Sequence, residues 1–197
     1  MSRGNASYLP GILPHLPEGT ATSRSAITGA IVQIGEVGDL ARNALRMYSR
    51  SEHAGQWDGQ ALNSILATGQ EHELAHGMDL ACSGWSTKKP ILIWRNWRSP
   101  YQARVPLGHY ASCSMVERQA RRFGSRAGGS ISAILVRPGT LFAIPSYVWR
   151  ENDDPRTLQV VKREGEIVLS RFTSFVEIET VVPFEGAKRV RILAVSS

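Results

Sequence analysis

Cysteine is scarce in this sequence. Cys82 and Cys113 are the only two in 197 residues, which excludes a multi-bridge disulfide scaffold and points to a reducing compartment. Long apolar runs are missing too: no stretch of about 18 apolar residues occurs, so no bilayer-spanning helix and no membrane partner are expected. The N-terminal stretch MSRGNASYLPGILPHLPEGTATSRS has one early Arg but no continuous apolar segment, which argues against a secretory signal. A cytoplasmic site of action, in whatever cell contains the protein, is the resulting expectation. Neither an internal repeat nor a low-complexity tract is visible. Acidic residues are outnumbered, 17 against 23 Lys and Arg, for a net charge of +6. That sign suits contact with nucleic acid, or with a protein that works beside it. The basic residues are scattered, however, and their densest group (Arg118, Arg121, Arg122, Arg126) equally fits one solvated helix face.

What is present is the makings of one globular domain, with 42% hydrophobic and 20% charged residues. Residues 1–25 are rich in Gly, Pro and Ser and read as a flexible lead-in; residues 26–197 read as a single domain. From about 35 to 84 the apolar spacing is helical: Val37, Leu40, Leu45 and Met47, then Leu62, Ile65 and Leu66, then Leu74, Met78 and Leu80. Gly55, Gly69 and Gly84 serve as stops. After Thr87 the character changes. Ile91–Trp94 reads as a buried strand, and SISAILVRPGTLFAIPSYV as a strand broken at Pro138-Gly139. GEIVLSRFTSFVEIETVV and KRVRILAV are strongly β-branched. Helices first and strands second predict an α+β fold with mostly antiparallel pairing.

Four polar features punctuate the strand-rich half. Arg95 ends ILIWR; Ser112 and Ser114 flank Cys113 in HYASCSMVERQARRF, a strand end followed by a helix; Pro138-Gly139-Thr140 forms a turn; Glu164 and Glu166 stand at a strand entrance in REGEIVLS. Each alone is commonplace. The glutamates, two apart on a strand, are expected to share one face, and paired carboxylates suit a site that handles cationic species.

In order and spacing these four motifs resemble the arginine-specific ADP-ribosyltransferases, a family of bacterial toxins, vertebrate surface enzymes and phage Alt/Mod-type enzymes. The family pattern is an Arg ending an early strand, an aromatic-x-Ser-Thr-Ser segment, a Pro-Gly-Thr turn, and Glu-x-Glu leading a strand. Here the sequence reads Trp94-Arg95, Tyr110-Ala-Ser112-Cys-Ser114, Pro138-Gly-Thr140 and Glu164-Gly-Glu166, over residues 88–196. Asn96 departs from a usual Gly, and Cys113 from a usual Thr. The resemblance implies a pair of split antiparallel sheets with an N-terminal helical layer and an NAD⁺ cleft between the sheets. It also implies transfer of ADP-ribose from NAD⁺ to a target-protein arginine, with release of nicotinamide and no metal. By the same resemblance Glu166 stabilises the cationic ribose and binds its 2′-hydroxyl, while Glu164 orients the guanidinium. Ser112 fixes the Glu166 rotamer, and Arg95 pairs with NAD⁺ phosphates. Asn96 and Ser114 join the NAD⁺ contacts, with Phe123 or Trp149 as the aromatic near nicotinamide. The loop from Arg150 to Val161 meets the target, for which the basic charge suggests transcription or translation machinery.

Two alternatives compete. Residues 72–76 read His-Glu-Leu-Ala-His, so His72 and His76 on one helical face would ligate zinc with Glu73 as general base of a metallopeptidase. No third ligand is placed by a motif, and the Arg, Ser and Glu series would go unexplained. The other alternative, a binding module of the same fold without turnover, draws on the Asn96 and Cys113 departures.

Overall fold

Amphipathic helices of the N-terminal half stack on strands of the C-terminal half in the computed structural model, which describes residues 6–49, 59–97, 105–124, 130–150 and 154–196. The first half contributes α1 (Leu9–Ile12), α2 (Arg24–Ala30), β1 (Ile31–Gln33), α3 (Asp39–Tyr48), α4 (Gly59–Leu66), α5 (Glu73–Ala81) and β2 (Trp85–Thr87). The second contributes β3 (Ile91–Trp97), β4 (Ala111–Ser114), α6 (Glu117–Gly124), β5 (Ser130–Val136), β6 (Phe142–Ala143), α7 (Pro155–Glu164), β7 (Glu166–Leu169), β8 (Phe175–Val181) and β9 (Val190–Val195). The architecture is α+β, as expected.

Among the described residues the strands run in the order β1-β2-β6-β7-β4-β3-β5-β9-β8. Every pairing is antiparallel except β5 with β9. The ladder is uneven. β3 pairs with β5 from Ile91↔Val136 to Trp97↔Ser130, and β4 with β7 from Ala111↔Leu169 to Ser114↔Glu166, yet β3 and β4 share only Trp94↔Ser114. Beyond that pair the strands part. The expected split therefore takes the form of one sheet whose halves, β1-β2-β6-β7-β4 and β3-β5-β9-β8, join at a single residue pair. Arg95 and Ser112 flank the opening.

Two apolar clusters fill the faces. The larger joins Leu45, Tyr48, Leu62 and Met78 of the helical layer to Ile91, Ile93, Trp97, Ile167 and Leu169; the smaller joins Tyr8 and Ile12 to Leu92, Trp94, Ile131 and Ile192. Helices α3 and α5 meet at Gly77, where an added Cβ would lie 2.6 Å from Ala44 Cβ and 3.1 Å from the Leu40 carbonyl oxygen. Gly77→Ala is thus expected to destabilise the protein, although Ala gains about 1 kcal/mol of helix propensity. Overpacking of about 1–3 kcal/mol outweighs that gain, and a lowered urea midpoint at unchanged slope would register it. An unchanged or raised midpoint would mean the helices separate at little cost.

Two expectations need correction. Residues 6–25 are not a loose lead-in. Tyr8 and Ile12 are buried, Ser7 Oγ and Tyr8 N donate to Glu117 at 2.5 and 2.9 Å, and Ala21 bridges to Ile91. The Gly and Pro content marks turns between apolar anchors there, not disorder; residues 1–5 lie outside the described set. Nor is the stretch before the glutamates a loop. Residues 151–153 lie outside the described set, but Pro155–Glu164 is helix. Asp154 caps it by accepting from Arg156 N and Thr157 N at 3.2 and 3.1 Å, and Pro155 occupies the first turn.

Candidate active site

The carboxylate pair sits at a corner between helix and strand. Helix α7 ends at Glu164, Gly165 adopts φ 56° and ψ 49°, and β7 begins at Glu166 opposite Ser114. Glu164 is therefore not a strand residue, and the pleat does not bring the two carboxylates together. The left-handed turn does, and glycine enters that region at little cost. The corner is held from several sides. Ser114 Oγ donates to the Glu164 carbonyl at 2.6 Å, Met115 N donates to the Gly165 carbonyl at 2.9 Å, and the Arg24 guanidinium donates to the carbonyls of Lys162 and Arg163. Arg24 thus seats a cation on the negative end of α7.

Glu166 is half-buried, and burial pushes its carboxyl up to about 7. The Ser112 hydroxyl pulls it down, the Glu164 charge pushes it further up, and Arg95 again opposes. Burial likewise raises Glu164, against the nearby Arg163. Arg95 spans the opening of the sheet. Its Nη1 donates to the Ser112 carbonyl at 2.5 Å, and its guanidinium lies 4.6 Å from the centre of the Trp97 ring. Trp97 is in turn fixed by Nε1 donating to Ser132 Oγ at 3.0 Å. Arg95 Nε is buried with no hydrogen-bond partner among the described residues. A buried, unpartnered guanidinium N–H fits an anionic oxygen. So placed, Arg95 suits an anionic group such as a phosphate, and Glu166 a group that carries or develops positive charge.

Arg95, Ser112, Glu164 and Glu166 are thus brought to one corner. The remaining candidates fare differently. Asn96 follows Arg95 on β3, on the side of Leu92 and Trp94, so its side chain faces away from Arg95. Ser114 Oγ donates to the Glu164 carbonyl at 2.6 Å and accepts from Val116 N at 3.0 Å, and so shapes the corner. The Phe123 side chain lies outside the described residues. Trp149 packs on the helical layer, with Nε1 donating to Ser49 Oγ at 2.9 Å and Arg46 5.9 Å from its ring. Pro138-Gly139-Thr140 is the expected turn, with Gly139 at φ 87°.

His72 is the N-cap of α5, its Nδ1 accepting from Leu74 N at 3.1 Å, while His76 lies within the helix and is exposed. His72 Nδ1 is thus engaged in capping the helix. Among the described residues no three His, Cys, Asp or Glu side chains come together where a metal could be held.

Sequence reasoning missed three residues. Tyr48 Oη lies 2.9 Å from Ser112 Oγ, and Asn63 Nδ2 donates to that phenol at 3.3 Å. Both read in the sequence as ordinary helical positions. His109 neighbours Arg95; burial and then that charge hold its imidazole below the ordinary range. Its place just before Tyr110-Ala-Ser112 was the available signal.

No protein-family model matches the chain, and a search of curated proteins finds no match. Solved structures do match. The C3 exoenzyme of Clostridium limosum is 13% identical, with a TM-score of 0.59 over 93% of this chain and 100% of that one. Exoenzyme S of Pseudomonas aeruginosa, in a complex with human 14-3-3 protein beta bound to Carba-NAD, is 20% identical, with a TM-score of 0.56 over 80% of this chain and 74% of that one. The ADP-ribosyltransferase Vis of Vibrio splendidus, in complex with agmatine, is 10% identical, with a TM-score of 0.56 over 88% and 81%. At these identities the likeness is one of backbone fold: the chain has the ADP-ribosyltransferase fold.

Proposed function

We propose that the protein is a mono-ADP-ribosyltransferase that moves ADP-ribose from NAD⁺ to an arginine of a target protein and releases nicotinamide. The observation that carries this reading is the grouping of Arg95, Ser112, Glu164 and Glu166 where the sheet opens, on a fold shared with ADP-ribosyltransferases. Arg95 offers its free Nε–H to the diphosphate. Glu166, ionised, stabilises positive charge that grows on the ribose as the nicotinamide bond breaks, which favours the transition state over the ground state. Glu164 accepts the incoming guanidinium and holds it against the sugar carbon. Arginine is a poor nucleophile, so positioning is the main help a protein can give it. That the similarly folded Vis is seen with agmatine, itself a guanidine, supports arginine as the acceptor. A target within transcription or translation machinery, in the cytoplasm, is in keeping with the net charge of +6. Water replaces the guanidine when no acceptor is present, giving slow NAD⁺ hydrolysis.

The test is incubation of the protein with labelled NAD⁺ and agmatine, then with a cell lysate. Labelled agmatine and discrete labelled protein bands support the reading; absence of both labelling and nicotinamide release overturns it.

A pH dependence follows from Glu166. The carboxylate is the working form, and in the free protein it titrates at about 7. The value of kcat/KM for nicotinamide release is therefore expected to climb with pH through about 7 and level off above it. A profile already flat from about pH 5 would assign the chemistry to a group other than Glu166.

A further inference from the structure

Tyr48 belongs to the last turn of α3, in the helical layer, yet its hydroxyl is spent on the catalytic corner. The ring is buried. It meets Tyr110 edge-on at 6.0 Å and fills the space beside Gly59, where a Cβ would come within 2.8 Å of it. A phenylalanine would satisfy all of that packing. The hydroxyl instead lies 2.9 Å from Ser112 Oγ and 3.4 Å from the Tyr110 carbonyl oxygen. On its other side stands Asn63 of α4, both ends of whose amide are in use. Oδ1 accepts from Tyr110 N at 2.9 Å; Nδ2 donates to the Tyr110 carbonyl at 2.9 Å and to the Tyr48 hydroxyl at 3.3 Å. An amide pinned at both ends cannot flip, so Tyr48 Oη accepts a hydrogen bond from Asn63 and has its own proton to give, to Ser112 Oγ at 2.9 Å in preference to the Tyr110 carbonyl, which is farther at 3.4 Å and already accepts from Asn63.

We propose that Tyr48, oriented by Asn63, is a positioning residue for Glu166: it donates to Ser112 Oγ and so compels the Ser112 proton to point at the Glu166 carboxylate. On this reading the polar chain runs from Asn63 through Tyr48, at 3.3 Å, to Ser112, at 2.9 Å, whose hydroxyl acts on the Glu166 carboxyl. Such a chain fixes a rotamer that an isolated serine would share among three wells. It also ties the helical layer to the sheet at the residue that most needs a fixed position. The inference rests on the reading of Glu166 as the catalytic carboxylate.

The groups that face Glu166 are Glu164 from α7, Arg95 from β3, Ser112 and Cys113 from β4, and Tyr48 from α3. Of these, only the Ser112 donor depends on Tyr48. The experiment measures NAD⁺ hydrolysis against pH for wild type, Tyr48→Phe, Ser112→Ala and the double variant, with near-ultraviolet circular dichroism to verify packing. Tyr48→Phe is expected to lower kcat about fivefold to tenfold, the scale of one hydrogen bond, and to leave KM within about twofold. The acid limb of its kcat profile is expected to move to higher pH, because a carboxylate that loses a steady donor is harder to ionise. In the Ser112→Ala background, Tyr48→Phe should cost nothing further. A full additional loss in that background would overturn the proposal, and so would a Tyr48→Phe enzyme with unaltered kcat and pH profile. Wild-type protein that releases no nicotinamide would instead sink the catalytic reading itself.

Discussion

Glu166→Gln is expected to reduce nicotinamide release by roughly a thousandfold, the loss seen when a single preorganised electrostatic stabiliser is removed. Glutamine keeps the shape and accepts a hydrogen bond from Ser112, but it has no charge to set against a cationic ribose. The same change is expected to stabilise the protein. Burial holds the Glu166 carboxyl at about 7 against an ordinary 4.5, so the folded state binds the proton more tightly than the unfolded chain does. The sign follows: the carboxylate costs nothing below about pH 4.5, and the cost grows until pH passes about 7, where it reaches about 2–3 kcal/mol. Glu166→Gln should therefore melt several degrees above wild type at about pH 8 and converge with it near pH 4. A dead variant with a raised melting temperature at high pH is the signature of a residue kept for chemistry at the expense of stability. A dead variant that melts lower at every pH would mean that Glu166 holds the corner together.

Much of this site was legible because its motifs are local. Arg95 at a strand end, Ser112 on a short strand before a helix, and the Pro138-Gly139 turn are each decided by a few neighbouring residues. The helical periods of the first half and the β-branched runs of the second were equally visible. What escaped depends on other signals. Asp154-Pro155 is a helix start and Gly165 a helix stop, and together they frame α7. Set against the polar stretch WRENDDPRTLQ, those caps are outweighed by composition, and the β-branched run after Gly165 draws Glu164 toward a strand reading. The same holds for residues 6–25, where Tyr8 and Ile12 are few among many turn formers and yet are buried. Tyr48 and Asn63 lie 64 and 47 residues from the positions they bond. No local pattern foretells a contact of that range, and only the fold supplies it.

Glu164→Gln is expected to separate the two activities, lowering transfer to agmatine about a hundredfold and sparing most NAD⁺ hydrolysis. Glu164 stands half-buried at the C-terminal end of α7, one left-handed residue away from Glu166. Burial raises its carboxyl, and the negative end of the helix works in the same direction. A carboxylate so placed gains from a cation. It already has one nearby in Arg163, while the Arg24 guanidinium is spent on the last carbonyls of the helix. An acceptor guanidinium offers more, since it can bind the carboxylate in a paired, planar arrangement. That pairing contributes in two ways: a charge-assisted bond of about 1.5–3 kcal/mol and a nitrogen held within reach of the sugar carbon. Water needs neither, so hydrolysis depends on Glu166 and persists. The measurement is parallel assay of nicotinamide release without acceptor and ADP-ribosyl-agmatine formation with it. Transfer that survives in Glu164→Gln would move guanidine recognition to another residue. Joint loss of both activities would make Glu164 a partner in cleavage of the nicotinamide bond, its charge acting with that of Glu166 on the ribose.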